Sequence, residues 1–361
     1  MPQHYYMYKI ITLLLNFIFI STLSFGQSNV KADSLISEGI AFYDKGEYAE
    51  AIRLYDQALS LDKDNLVGLS EKALTLLAQG NNKEAIDFCK KAIKKGLNNE
   101  ALISVYVTYG NALDGLKKSK DALNIYDEGI KKFPNKNQLY FNKGITLSDL
   151  GKIEDAILCM QKAVQCNPRH GSSHNALAQL EKSKPNRIPA LLAFARFLVI
   201  EPEGKRAAAN LASMLTIMNG NAEKTGENNI TINFSPDMID TKGKSKENNF
   251  QSVDLILAMS AGLDLDDKYK NNTPVEKFIR KFETICSTLS ETQKDNSGFY
   301  WKYYAPYFIE MKEKKMITTF AYLAFASTPG EDIDKWFKEN KAEVKAFFDW
   351  SKNFTWSADK K

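Results

Sequence analysis

The sequence predicts an all-α protein: a solenoid of repeated helical units, then a smaller helical domain rich in aromatic residues. Three observations predict it. Small residues recur at a spacing close to 34 through residues 39–163. A polar stretch at residues 220–249 interrupts that recurrence. Beyond residue 250 apolar residues return at helical spacing, without the 34-residue period. A chain of 361 residues fits two to three domains at about 150 residues each.

The first 26 residues read as an address, a signal peptide, and not as part of the fold. Lys9 and the free amine form a short positive region, residues 10–20 are apolar, and Ser24 and Gly26 are the small residues expected before a cut ahead of Gln27. The apolar run is shorter than the roughly 20 residues of a membrane span. The expectation is an exported chain, periplasmic or secreted. The alternative is an uncleaved N-terminal anchor, which would then be the membrane contact. Of the four cysteines, Cys159 and Cys166 are seven apart, about 10 Å along a helix and too far for a bridge. All four cysteines are expected as buried small hydrophobes.

Residues 27–219 carry the repeat. Gly39/Phe42, Ala73/Leu76, Gly110/Leu113 and Gly144/Leu147 recur at intervals of 34, 37 and 34. Ala51, Ala85, Ala122 and Ala156 follow twelve places on, then Tyr55, Cys89, Tyr126 and Met160, then Ala58, Ala92, Gly129 and Ala163. Pro134, Pro168 and Pro202 close three units. Small residues let two helices approach, and large ones fill the space between them. Gly46, Gly80 and Gly151 are placed to end first helices, and proline to stop second ones. This pattern resembles the tetratricopeptide repeat of exported bacterial proteins. The resemblance implies a right-handed superhelix of about five helix pairs, starting near Ala32, Leu66, Ile103, Asn137 and Gly171, with a capping helix at residues 204–218. The pattern has departures. Lys63 and Leu97 replace proline, three extra residues lie near 96–99, and the fifth unit has Glu181 and Phe197 where apolar and small residues belong.

The resemblance also implies a concave groove lined by the first helix of each pair. Its places hold Ile36, Ile40 and Tyr43, then Leu74 and Leu77, then Val107, Asn111 and Asp114, then Phe141, Ile145 and Asp149. Such a surface is apolar and mildly acidic, and suits a protein or peptide partner. Asn111, Asp114 and Asp149 would set its orientation. The carboxylate grip of chaperone adaptors needs Lys and Asn where this chain has Ile36 and Ile40, and is excluded. The competing reading is that these side chains pack against neighbouring helices.

Residues 220–249 read as a linker, with a possible short strand at 229–234. Residues 250–361 predict helices near 251–264, 274–290, 293–312, 315–327 and 331–352, and are similar to the tails of exported repeat proteins. The segment 299–308 (FYWKYYAPYF) is either a platform for a peptide or glycan, or the filler of a helical core.

Composition narrows the chemistry. A net charge of +4 gives no strongly basic face for nucleic acid. Past residue 27 only His170 and His174 remain, with no histidine in the second domain to activate a nucleophile. No nucleotide or nucleophile-elbow glycine motif occurs. Cys166, His170 and His174 are four apart, yet Pro168 and Gly171 break the helix a metal site would need. Asp264, Asp266 and Asp267 open like a calcium loop but lack its glycine and closing glutamate, and read as a helix-end turn. No cofactor, no metal and no catalytic set is expected. The rival is a carboxylate-based hydrolase using Glu310 or Glu313.

Overall fold

A computed structural model describes residues 30–95, 100–219, 222–225, 230–232, 247–269, 271–328 and 330–356. The signal peptide, Leu97 with the three-residue insertion, and most of the linker lie outside these residues. The chain divides into two compact units between Leu150 and Gly151.

The first unit is built of stacked helix pairs. Helix α1 (30–44) pairs with α2 (Tyr48–Leu61), α3 (Leu66–Ala78) with α4 (Asn82–Lys95), and α5 (Leu102–Gly115) with α6 (Ser119–Lys132). Helix α7 (Asn137–Asp149) follows. Their starts agree with the repeat. The turn inside each pair needs a left-handed residue, because the last carbonyls of the first helix must be met within two residues. Gly46 and Gly80 supply it at φ 78° and 81°, and Lys117 does so at 61° in the third pair. The next pair begins where Asn65 caps α3, its side chain accepting from the Gly68 amide at 3.0 Å.

The recurrent residues form the core. Ala51, Tyr55 and Ala58 pack with Ala32 and Ile36; Ala73, Cys89 and Ala92 pack with Leu102, Val105 and Tyr106. Gly39 lies against the ring of Tyr55, and Gly110 against Tyr126, so closely that a methyl group at either would overlap the ring. The second pair has Ala73 and Cys89 at the same places, a larger small residue against a smaller large one.

The second unit begins with α8 (Ile153–Cys166), α9 (Gly171–Lys182), α10 (Ile188–Ile200) and α11 (Lys205–Asn219). A two-stranded antiparallel hairpin follows, β1 (Ala222–Lys224) against β2 (Ile230–Ile232), so the expected strand has a partner within the linker. Then come α12 (Gln251–Gly262), α13 (Pro274–Thr292), α14 (Phe299–Tyr303), α15 (Ala305–Glu313), α16 (Ile317–Ala324), α17 (Glu331–Glu339) and α18 (Lys341–Asn353).

Two expected helices are broken. The one at 293–312 starts only after Gly298, whose φ of 99° suits no helix, and it is further divided at Tyr304. The one at 331–352 is interrupted at Asn340, whose side chain donates to the Trp336 carbonyl at 2.9 Å. Cys159 and Cys166 are half-buried where burial was expected, while Cys89 and Cys286 are buried.

The aromatic segment is core filler. Tyr300, Trp301, Tyr303, Tyr304, Tyr307 and Phe308 are all buried. They pack on one another, on Trp356 and on the repeat helices of this unit. Trp301 stacks on Phe250 at 4.4 Å, and Tyr303 lies 4.6 Å from Trp356. The Tyr303 hydroxyl donates to the Val164 carbonyl of α8 at 2.6 Å, and the Tyr300 hydroxyl to Glu181 of α9 at 2.6 Å. Glu181, a departure from the repeat, is thus a buried acceptor for the aromatic segment. Burial raises its carboxyl pKa, against the Tyr300 hydrogen bond that lowers it. Asp264 closes a helix end by pairing with Arg280 and Lys281.

Candidate functional site

The first helices of successive pairs carry the predicted groove residues, and the structure divides these into three kinds. Ile36 is a correction: it is 3% exposed, belongs to the core of the first pair, and lies against Gly68 of α3. Ile40, Tyr43, Leu74, Leu77, Val107, Asn111, Asp114 and Phe141 are half-buried. Ile145 and Asp149 are exposed.

Two of the polar members are tied into the scaffold. Asn111 accepts from the Tyr126 hydroxyl at 2.7 Å. Asp114 accepts from Ser119 at 2.5 Å through one oxygen and from Thr146 at 3.1 Å through the other. Their placement fixes α5 against α6 and α7, and Asp149 remains exposed. Acidity persists at the α1 and α3 end, where Asp44 is exposed and Glu71 is half-buried. Burial, and secondarily the Asp44 charge, raise the Glu71 pKa.

A pocket of about 430 Å³ opens between α3, α5 and α7. Leu74, Ile103 and Val107 make its apolar wall, and Glu100, Lys136, Gln138 and Asn142 its polar side. Glu100 and Lys136 form an ion pair at 2.9 Å. The Ser70 and Ser104 hydroxyls bridge α3 and α5 at 3.0 Å. An apolar wall with a few fixed polar groups is the general makeup of a ligand pocket. Leu74 and Val107 were anticipated here, whereas Ile103, Lys136 and Asn142 were not. Ser70 and Ser104 are 34 apart, so the repeat period did carry a signal for that bridge.

His174 sits elsewhere, fully buried in the second unit. Its Nδ1 accepts from the Tyr304 hydroxyl at 2.6 Å, and its Nε2 donates to the Pro168 carbonyl at 3.1 Å. Burial, with the Arg196 charge nearby, lowers its pKa well below the ordinary value, so the ring is neutral and structural. Among the described residues no group of His, Cys, Asp and Glu is arranged to hold a metal ion, and no helix is long and apolar enough to cross a membrane.

Profiles described as tetratricopeptide repeat match residues 36–99 and residues 138–170. These segments are tetratricopeptide repeats. Among curated relatives, a STIP1 homolog of Dictyostelium discoideum is 28% identical over 159 residues, 35% of this chain and 28% of that protein. The human protein O-mannosyl-transferase TMTC1 is 31% identical over 191 residues, 51% of this chain and 21% of that protein. The chain thus spans about a quarter of the length of these relatives. A thermophilic TPR protein of Thermus thermophilus superposes with a TM-score of 0.44 at 20% identity, over 51% of this chain and 99% of that one. None of these matches identifies the C-terminal helices.

Proposed function

We propose that this chain is an exported interaction protein that holds a protein or peptide partner on the first-helix face of residues 30–150, without catalysis. The observation that carries this reading is the pocket between α3, α5 and α7, with its apolar wall and paired polar rim. Burial of a partner's apolar side chain against Leu74, Ile103 and Val107 supplies affinity, while Lys136, Gln138 and Asn142 supply direction. Relatives named for partner binding support it: the Hsp70-Hsp90 organizing protein of Triticum aestivum is 26% identical over 225 residues, 59% of this chain and 36% of that protein. Residues 1–26 serve export, to the periplasm or beyond. A catalytic role for Glu310 is not favoured, since it accepts from the Trp350 indole at 2.7 Å. The buried aromatic segment likewise offers no platform to a ligand.

The test is crosslinking in cells followed by purification of the tagged protein. Wild type is compared with Leu74→Gln/Val107→Gln and with Tyr43→Ala/Phe141→Ala, all of them changes at half-buried positions. A partner captured by wild type and lost from both folded variants supports the groove. Equal capture by all three forms overturns it. Mass analysis of the mature protein checks export, which predicts an N-terminus at Gln27. Turnover of a peptide or glycan panel by the purified protein would remove the non-catalytic reading.

A further inference from the structure

Arg196 of α10 is 2% exposed, and no carboxylate among the described residues forms an ion pair with it. Its terminal nitrogens donate to the Tyr307 hydroxyl at 3.0 Å, the Ser351 hydroxyl at 2.9 Å and the Pro168 carbonyl at 3.2 Å, all neutral groups. Its Nε is buried without a hydrogen-bond partner among the described residues. The guanidinium lies over the rings of Tyr307 and Trp356, at 4.8 and 4.9 Å. Rings and dipoles offset part of the desolvation, but among the described residues no opposite charge balances it.

The same side chain lines a pocket of about 270 Å³, together with Arg169, Val199, Ile200, Phe348, Ser351 and Lys352. Arg169 and Lys352 are exposed and add two more cations. No ion pair among the described residues involves Arg169, Arg196 or Lys352, and two acids nearby in sequence are engaged elsewhere, Asp349 with Lys345 and Glu201 with Arg206. Val199, Ile200 and Phe348 supply an apolar part of the lining, and Phe348 is 38% exposed. Three cations with no counter-charge among the described residues line one pocket with apolar side chains, the complement of an anion that carries a short apolar body. The size admits one such group and falls just below the about 300 Å³ at which pockets take drug-sized ligands.

We propose that this pocket binds a carboxylate with a short apolar chain, its charge set among Arg169, Arg196 and Lys352 and its chain on Val199, Ile200 and Phe348. A free short-chain acid and the terminal carboxylate of a peptide present the same chemistry. The site lies wholly within the second unit and is independent of the groove reading.

Calorimetric and thermal-shift titration of the full chain tests it, with hexanoate and N-acetyl-leucine as probes and hexanamide and N-acetyl-leucinamide as neutral controls. Both carboxylates are expected to bind and raise the melting temperature, and both amides to do neither. Arg169→Gln/Lys352→Gln, at exposed positions, is expected to weaken binding by about tenfold or more. Arg196→Met is expected to abolish it; should that variant not fold, the surface pair and Phe348→Ser carry the test. Absence of carboxylate binding at tens of millimolar, equal binding of the amides, or an unchanged affinity in Arg169→Gln/Lys352→Gln overturns the proposal. Affinity rising from N-acetyl-leucine to longer leucine-terminated peptides assigns the site to peptide termini, and a flat series with equal hexanoate affinity assigns it to free acids.

Discussion

At Gly110 the repeat is decided by one hydrogen atom. A methyl group there would overlap the Tyr126 ring, which is itself held by its hydroxyl on Asn111. The first pair repeats the choice with Gly39 and Tyr55, while the second uses Ala73 with Cys89. The two places therefore trade volume, since a packed interface tolerates a change at one only when the other compensates. Gly110→Ala is expected to destabilise the first unit by about 1–3 kcal/mol, the usual cost of overpacking. Tyr126→Cys alone leaves a cavity and costs about 2–5 kcal/mol, as large-to-small core changes do. The double variant restores the Ala–Cys combination of the second pair. It should be more stable than the sum of the single changes requires, with a coupling of about 1 kcal/mol or more in denaturant titrations. Strict additivity would show that the two places do not share their space.

At the scale of elements, what the sequence reveals depends on how far apart the partners are. The pair starts, the glycine turns and the small-to-large register were legible, because each is set by neighbours within about one repeat. The breaks at Gly298 and Asn340 were not. Helical periodicity continues across both, and only the local backbone interrupts it. The docking of α14 on α9 joins residues 119 apart, which no local pattern encodes, and yet it left a trace: Glu181 violates the repeat and turns out to be the acceptor for Tyr300. On the first helices, position within the repeat singled out Leu74 and Val107, which line the α3–α5–α7 pocket, but also Ile36, which is buried, because a helix face one turn wide serves both the core and the surface. If Glu181 and Tyr300 form a matched pair, Tyr300→Phe strands a buried carboxyl group and should cost about 1–3 kcal/mol. Glu181→Leu restores an apolar place and should cost less in the Tyr300→Phe background than in wild type, where it would take the acceptor from the tyrosine hydroxyl. A thermal-denaturation cycle of the four proteins measures this. Equal costs in both backgrounds would mean that the hydrogen bond does not join the helices energetically.

At the scale of the whole molecule, the repeat and the tail are not separable where the 34-residue period stops. Helix α10 is buried along its whole length from Ile188 to Val199, which a helix in an open solenoid is not. The faces that solvent would otherwise meet are covered from the C-terminal side: Arg196 by Tyr307, Ser351 and Trp356, and His174 of α9 by Tyr304. Removing residues 250–361 uncovers this apolar surface together with the Arg196 charge, whereas residues 30–150 keep a core of their own. A chain truncated after residue 219 should therefore retain slow amide exchange in α3 to α6 and lose it in α9 and α10, with a tendency to associate through the exposed apolar helix. Hydrogen exchange on the truncated and full chains reads both regions at once. Protection of α9 and α10 that survives truncation would make the tail an appendage to a complete solenoid. Its loss would make the aromatic helices the part that completes the last repeats, and would explain why the fifth pair departs from the pattern at Glu181, where it meets Tyr300, a neighbour that no earlier pair has.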